Sequence, residues 1–139
     1  MATRIKPELS KNHKYWISKH RYYELKHYCL QYPLWKNAYY SFNDISIPLS
    51  MIENVRTCNL PGDPTAKRAL MKAYYADKIG TLESVAIETD RYLHKYILKA
   101  VTEDLSFNYL KTKLDIPCCR DTYYDRYRRF FWILDRNRD

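Results

Sequence analysis

The chain has 139 residues, a formal net charge of +8 and 46% apolar residues. This length suits one compact domain, or a small domain with an arm, and the apolar content allows a hydrophobic core. No stretch approaches the ~18 apolar residues of a membrane span, and the polar segment after Met1 is unlike a secretory signal peptide. These observations argue against a membrane protein and predict a cytoplasmic one.

Positive charge is concentrated at the two ends of the chain. Residues 1–40 carry eight Lys or Arg and two acids, residues 41–119 carry ten of each, and residues 120–139 carry six Arg and four Asp. Two basic ends around a neutral middle favour a polyanionic partner. An ordinary soluble surface is the alternative, because such a net charge is only modestly above the usual one.

The four cysteines predict reduced thiols and no metal site. Cys118 and Cys119 are adjacent and no CxxC pair occurs, so the spacing fits no zinc pattern. His13, His20 and His27 recur every seven residues, which a basic, half-exposed helix face explains. We therefore expect neither a metal nor another cofactor.

The N-terminal part of the chain predicts an arm over residues 1–12 and a helix over residues 13–32. This helix carries a seven-residue apolar row and a basic remainder that could contact a partner. The row is Trp16, Tyr23 and Leu30, flanked by Leu25, Tyr28 and Tyr32, and the basic residues are Lys14, Lys19, Arg21 and Lys26. Pro33 ends this helix and opens a second one to about Phe42. So aromatic a face requires burial, and we expect it inside the protein rather than across a dimer.

The middle of the chain predicts a connector and a long helix. Residues 43–62 show no sustained periodicity and form the connector. Asp63 as N-cap and Pro64 at the first helical position start a helix that runs to about Ile87. Gly80 weakens this helix without necessarily breaking it.

Three further helices are predicted at the end of the chain. They cover residues 90–103, with Thr89 or Asp90 as cap, 107–114, with Ser106 as cap, and 119–134, after Cys118 or Cys119. No strand is expected, and the scarcity of glycine suits helices because few turns then need positive φ. The fold class is all-α: basic aromatic N-terminal helices (1–42), the connector (43–62), and a helical hairpin with a C-terminal helix-turn-helix (63–139).

The last three helices match the minimal trihelical unit of a helix-turn-helix. Its centre would be filled by Leu110, Leu114 and Ile116. One buried stripe is predicted on the last helix, where Tyr123, Tyr127, Phe130 and Leu134 follow i, i+4, i+7 and i+11. The alternative is an ordinary helical hairpin with a solvated charged face.

Donor side chains on the other face of the last helix indicate DNA recognition. Residues near the start of such a helix reach base edges in the major groove. The predicted base readers are Arg120, Thr122 and Tyr124. The predicted phosphate contacts are Arg128 and Arg129, with Asn108, Lys111 and Lys113 on the preceding helix. Asp121 and Asp125 oppose a purely DNA-facing surface, unless they accept from cytosine or pair with Arg128 and Arg129.

The C-terminal region also resembles region 4 of bacterial sigma factors. The matching residues are Ile97-Leu98, Glu103-Asp104-Leu105-Ser106-Phe107-Asn108-Tyr109-Leu110, Leu114-Asp115-Ile116-Pro117, Tyr123, Arg126-Tyr127, Phe130 and Leu134. Asp104 stands where that pattern has Gly, and segment 117–121 is longer than the pattern. With Gly62-Asp63-Pro64-Thr65-Ala66 upstream, the chain is similar to phage and prophage late-gene regulators of the RinA and ArpU type over about residues 13–135.

The resemblance implies a phage-encoded, sequence-specific regulator in a bacterial host cell. It would bind double-stranded DNA at a promoter and act with host RNA polymerase. The sequence allows a homodimer through residues 13–42 or 64–87, since one three-helix unit reads few base pairs.

A protein-interaction module is the alternative. It could be a phage inhibitor of a host nuclease or defence complex, such as an anti-CRISPR protein, or a packaging component, with the helix-turn-helix as scaffold. An enzyme is not expected, because no phosphate loop, HExxH, GxSxG or paired-carboxylate signature marks catalytic residues.

Overall fold

Six helices account for most of the residues that the structure describes. This computed structural model describes residues 13–42 and 64–138. The helices are α1 (Lys19–Leu30), α2 (Tyr32–Ser41), α3 (Pro64–Thr89), α4 (His94–Glu103), α5 (Phe107–Lys113) and α6 (Arg120–Asn137). No strand occurs in these two ranges, which confirms the all-α class. The predicted arm (1–12), the connector (43–62) and the Asp63 cap lie outside the described residues.

Helix α1 begins later than predicted. The Oγ of Ser18 accepts a hydrogen bond from the N–H of Arg21 at 3.3 Å and starts the helix at Lys19, not at residue 13. Ser18 has the extended backbone of an N-cap residue, so the segment before it is not helical. The predicted helix over 13–32 was therefore wrong at its start.

The buried face of α1 also differs from the predicted row. It consists of Tyr22, Leu25 and Cys29, spaced i, i+3 and i+7. Trp16 and Tyr23, which belong to the predicted row, are 37% and 40% exposed. Trp16 precedes the helix, so the seven-residue spacing from Trp16 to Tyr23 does not mark one face of α1.

Helices α2 and α3 follow the prediction closely. Gln31 is the C-cap of α1, and Pro33 lies at the second position of α2. Helix α3 starts at Pro64 as predicted, and Gly80 lies inside it without breaking it. It ends at Thr89, whose buried hydroxyl donates to the carbonyl of its own preceding turn.

The start of α4 is shifted relative to the predicted 90–103. The Oδ1 of Asp90 accepts hydrogen bonds from the N–H groups of Tyr92 and Leu93 at 2.8 and 3.0 Å. Asp90 thus satisfies the backbone donors of a turn, and regular helix begins only at His94. The predicted cap was therefore wrong: the N-cap of α4 is Leu93, which makes no side-chain capping bond, and Asp90 closes an Asx turn before it. An Asx turn and an N-cap use the same type of side chain, so the sequence does not distinguish them.

Two aspartates with positive φ end α4 and α5. Asp104 has φ 54°, and the N–H groups of Asp104 and Leu105 both donate to the carbonyl of Ala100. Asp115 has φ 52° and lies one residue beyond Leu114, the C-cap of α5. Glycine usually supplies this left-handed conformation, and Asp tolerates it better than most residues. Asp104, which stands where the sigma-factor pattern has Gly, therefore adopts a backbone conformation that favours glycine.

The described residues divide into two compact units. The larger unit contains residues 13–31 and 81–138, and the smaller unit contains residues 32–42 and 64–80. Helix α1 thus groups with the C-terminal helices, whereas the predicted segments placed it with α2.

The core of the larger unit lies between α1, α4 and α6, which pack against one another. The predicted stripe of α6 is confirmed, since all four of its residues are buried. These are Tyr123, Tyr127, Phe130 and Leu134. Leu110 and Ile116 are fully buried as predicted, whereas Leu114 is only half-buried at the end of α5. Leu25 of α1 is fully buried in this core.

Aromatic rings and lysines dominate the smaller unit. The rings of Phe42 and Tyr75 stack at 6.0 Å, and the Nζ of Lys72 lies 5.1 Å from the ring centre of Tyr39. Burial raises the pKa of Tyr75.

In the part of the chain that the structure describes, no helix is both long and apolar enough to span a membrane.

Candidate nucleic-acid interface

The junction of α5 and α6 is held by an aromatic cluster. Ser106 begins α5 as predicted, its Oγ accepting from the N–H of Tyr109 at 3.2 Å. The buried ring of Phe107 then lies 5.4 Å from the ring of Tyr123 and 6.4 Å from that of Tyr124. This packing fixes the first turn of α6 against the start of α5.

Arg120 is the exposed first residue of α6, and the structure brings it to Asn108. Its Nη2 donates to the Oδ1 of Asn108 at 2.9 Å, and its guanidinium carbon lies 5.6 Å from the centre of the Phe107 ring. A guanidinium has five N–H donors. Of the three guanidinium nitrogens of Arg120, only Nη2 makes a hydrogen bond to the described residues. The remaining donors of Arg120 are available to a ligand in an orientation that Asn108 and Phe107 fix.

Two lysines lie in the last turn of α5. The Nζ of Lys111 donates to the carbonyl of Ile116 at 3.3 Å and so supports the turn between α5 and α6. Lys113 is exposed in the last turn of α5 and forms no ion pair within the described ranges. Asn108, Lys111, Lys113 and Arg120 are called the α5–α6 surface below. Lys113, two residues after Lys111, projects from the opposite side of α5.

Thr122 is exposed in the first turn of α6 and contacts the thiol of Cys119. Its Oγ1 lies 3.1 Å from the Sγ of Cys119, and either atom can be the donor. The hydrogen bond from Thr122 lowers the pKa of this exposed thiol. Cys118 beside it is half-buried, and that burial raises its pKa. The sequence indicated the position of Cys119 at the helix start, but not this contact.

Tyr124 and Arg128 are half-buried rather than fully outward as predicted. They continue the row of Arg120 at i+4 and i+8. The hydroxyl of Tyr124 and the Nε of Arg128 are both buried and have no hydrogen-bond partner among the described residues. Along this row, the side chains change from exposed at Arg120 to half-buried at Tyr124 and Arg128.

Arg129 lies elsewhere. Nine residues along an α-helix turn the side chain by about 180°, so Arg129 faces away from Arg120. It lines a groove of about 700 Å³ with Arg91 and Arg126. The predicted phosphate contacts Arg128 and Arg129 therefore have different surroundings.

Arg126 is a residue that the sequence analysis did not single out. Its Nε lies 3.1 Å from the Oδ2 of Asp90, and its Nη1 lies 3.4 Å from the Oδ2 of Asp125. Asp125 thus pairs with Arg126, its neighbour in sequence. The helical spacing had suggested Arg128 or Arg129 as its partner instead. No local pattern could indicate Asp90 as a partner, because it is distant in sequence.

The basic residues of the N-terminal segment are mostly engaged within the larger unit. Arg21 binds the carboxylates of Asp135 at 2.5 Å and Glu24 at 2.8 Å, and it donates to the carbonyl of Arg138. The hydrogen bond to Asp135 raises the pKa of Arg21. The other three are placed as follows: Lys26 lies 3.6 Å from Asp104, Lys14 lies over the ring of Tyr15, and Lys19 is exposed at the start of α1. Arg21 and Lys26 are thus neutralised locally.

The N-terminal segment also contacts the second half of α6. The ring of Trp132 lies 5.6 Å from that of Tyr15 and 4.6 Å from the guanidinium carbon of Arg136. These contacts occupy one side of α6 near its end. The first half of α6, beginning with Arg120, is the more open part of this helix.

Comparison with protein-family models, with curated proteins and with solved structures finds no match to this chain. Within the described ranges, no group of three His, Cys, Asp or Glu side chains could hold a metal ion.

Proposed function

We propose that this protein is a sequence-specific DNA-binding regulator of transcription that inserts the first half of α6 into the major groove. The observation that carries the proposal is the exposed guanidinium of Arg120, held by the Oδ1 of Asn108 and by the ring of Phe107. A donor fork fixed at the start of a helix suits bidentate binding to guanine O6 and N7.

Each residue of the α5–α6 surface has a distinct role in this proposal. Arg120 reads a base, which is worth about 1–3 kcal/mol of discrimination against the wrong base. Asn108 is a positioning residue that acts through Arg120. Lys111 and Lys113 neutralise backbone phosphates beside the groove, and these contacts give affinity without sequence preference.

The resemblance to RinA- and ArpU-type regulators extends the proposal to the biological setting. The protein would be encoded by a phage, bind a promoter and act with host RNA polymerase. A homodimer on a two-fold symmetric site would supply the base pairs that one three-helix unit cannot read.

The test begins with duplexes selected from a random library by the intact protein. Binding of a selected and a shuffled duplex is then measured by fluorescence anisotropy at several salt concentrations. Arg120→Lys keeps the charge but loses the fork, so it should weaken the selected duplex about 5- to 150-fold and leave the shuffled one unchanged. Lys113→Ala, the matched control, should weaken both duplexes equally and reduce the salt slope by about 1.

A protein-interaction module is the second candidate, and Asp121 favours it. This carboxylate is exposed in the first turn of α6, beside Arg120, where it would repel a phosphate. Failure to enrich any duplex at low salt would support this candidate. Equal loss on both duplexes with Arg120→Lys would reduce Arg120 to a phosphate contact.

A further inference from the structure

The groove beside α6 lies on the side of that helix away from Arg120. It is formed by the last turn of α3, the turn over residues 90–92, and α6, and it has a volume of about 700 Å³. All of its lining residues belong to the larger unit. Unlike the α5–α6 surface, its lining contains a tyrosine and no lysine.

One wall of the groove is fixed by Asp90. The Oδ1 of this carboxylate accepts from two backbone N–H groups of the 90–93 turn, and its Oδ2 pairs with Arg126. The charge of Arg126 is therefore neutralised by Asp90, and this ion pair connects the turn to α6. A wall held in this way keeps its shape without a ligand.

Two other guanidinium groups in the groove have no carboxylate partner among the described residues. Arg91 projects from the turn and Arg129 from α6, and neither forms an ion pair or a hydrogen bond with the described part of the chain. Glu88 at the end of α3 is exposed nearby and offsets one of these two charges. The groove thus keeps a small positive excess rather than a strong one.

Apolar side chains stand next to these charges. Tyr92 is 86% exposed and Ile87 is 49% exposed. Tyr and Arg are among the residues enriched at protein interfaces.

We infer that this groove is a docking site for an acidic segment of another protein. The segment places a carboxylate between Arg91 and Arg129 and an apolar side chain against Ile87 and Tyr92. Ile87 and the ring of Tyr92 offer contacts to an apolar side chain, which a phosphate backbone lacks, so a nucleic acid is the poorer occupant. This docking is separate from the proposed DNA binding and does not depend on it.

The experiment selects short random peptides, displayed on yeast, for binding to the intact protein. Peptides that also bind the Arg91→Glu/Arg129→Glu variant are removed. We expect the enriched peptides to combine Asp or Glu with Leu, Ile or Phe. A synthetic copy should lose about tenfold in affinity with Arg91→Ala or with Arg129→Ala, as for an interface anchor.

Three controls make the result decisive. Arg91 lies in an exposed turn, so its removal should leave the circular dichroism spectrum unchanged. Lys113→Ala removes an exposed cation outside the groove and should leave the peptide affinity unchanged. Replacing the acids of the peptide by amides should abolish binding. The inference is overturned if no enriched peptide depends on Arg91 and Arg129, or if Arg91→Ala weakens a selected duplex instead. Peptide binding without DNA binding would support the docking inference and contradict the proposed DNA-binding function.

Discussion

The hydroxyl groups of Tyr22 and Tyr127 lie 2.8 Å apart and join α1 to α6 inside the core of the larger unit. Both side chains are buried, with 5% and 8% of their surface exposed. The ring of Phe131 packs against both, at 5.1 Å from Tyr22 and 4.9 Å from Tyr127. A polar contact thus holds two helices together within an aromatic cluster.

The two hydroxyls should be energetically coupled, so that removing both lowers the free energy of unfolding by less than the sum of the two single removals. Tyr127→Phe leaves the Tyr22 hydroxyl buried without its partner, at a cost of about 1–3 kcal/mol, and Tyr22→Phe does the same in reverse. The double Phe variant should lose clearly less than the sum of the two. Urea unfolding of the four proteins measures this coupling. Additive losses would mean that the hydroxyls do not interact.

Alkaline pH should destabilise the protein through the same tyrosines. Burial raises the pKa of Tyr22, and it raises that of Tyr127 well above its usual value. As pH rises above about 10, the unfolded chain loses phenolic protons that the folded protein retains, so the free energy of unfolding falls. Urea unfolding between about pH 8 and pH 11 should show a smaller fall for the double Phe variant. An equal fall would exclude this pair as a cause.

Leu25 should matter far more to stability than Tyr23. Leu25 is fully buried on α1, and its replacement by Ala should cost about 2–5 kcal/mol. Tyr23→Ala alters the half-exposed neighbouring row and should cost less than about 1 kcal/mol. Thermal and urea unfolding compare the two. The opposite order would mean that the predicted row, not the observed one, faces the core.

Glycine at the ends of α4 and α5 should stabilise the protein. Asp104 and Asp115 both have positive φ, which strains a residue with a Cβ. We expect Asp104→Gly and Asp115→Gly each to raise the free energy of unfolding by about 0.5–1 kcal/mol, because part of the relief is offset by unfolded-chain entropy. Asp104→Gly should gain slightly less, since it also removes the Lys26 ion pair. A loss at Asp115 would show that its side chain has a stabilising partner.

Cys119 should be the most reactive of the described thiols. The hydrogen bond from Thr122 lowers its pKa and its side chain is exposed, whereas burial raises the pKa of Cys29 and of Cys118. Iodoacetamide followed by mass spectrometry, in a Cys58→Ser background, should label Cys119 first and Cys29 only on unfolding. Thr122→Val should slow the labelling of Cys119 near neutral pH. Faster labelling of Cys118 would contradict this order.

Local signals in the sequence determined the class of fold and most helix bounds. The Pro64 start of α3, the Ser106 cap of α5 and the stripe of α6 from Tyr123 to Leu134 were all predictable, because caps and apolar periods act within one helix. Arg120 could be placed at the exposed start of α6 for the same reason.

Only the tertiary structure decided which partners the side chains find. The choice of Leu25 over Tyr23 as the buried row depends on the surfaces of α4 and α6, which no pattern inside α1 describes. The ion pair of Arg21 with Asp135 and that of Arg126 with Asp90 join residues far apart in sequence. Such contacts depend on how helices pack in three dimensions, whereas sequence periodicity reports only on neighbours within about one turn.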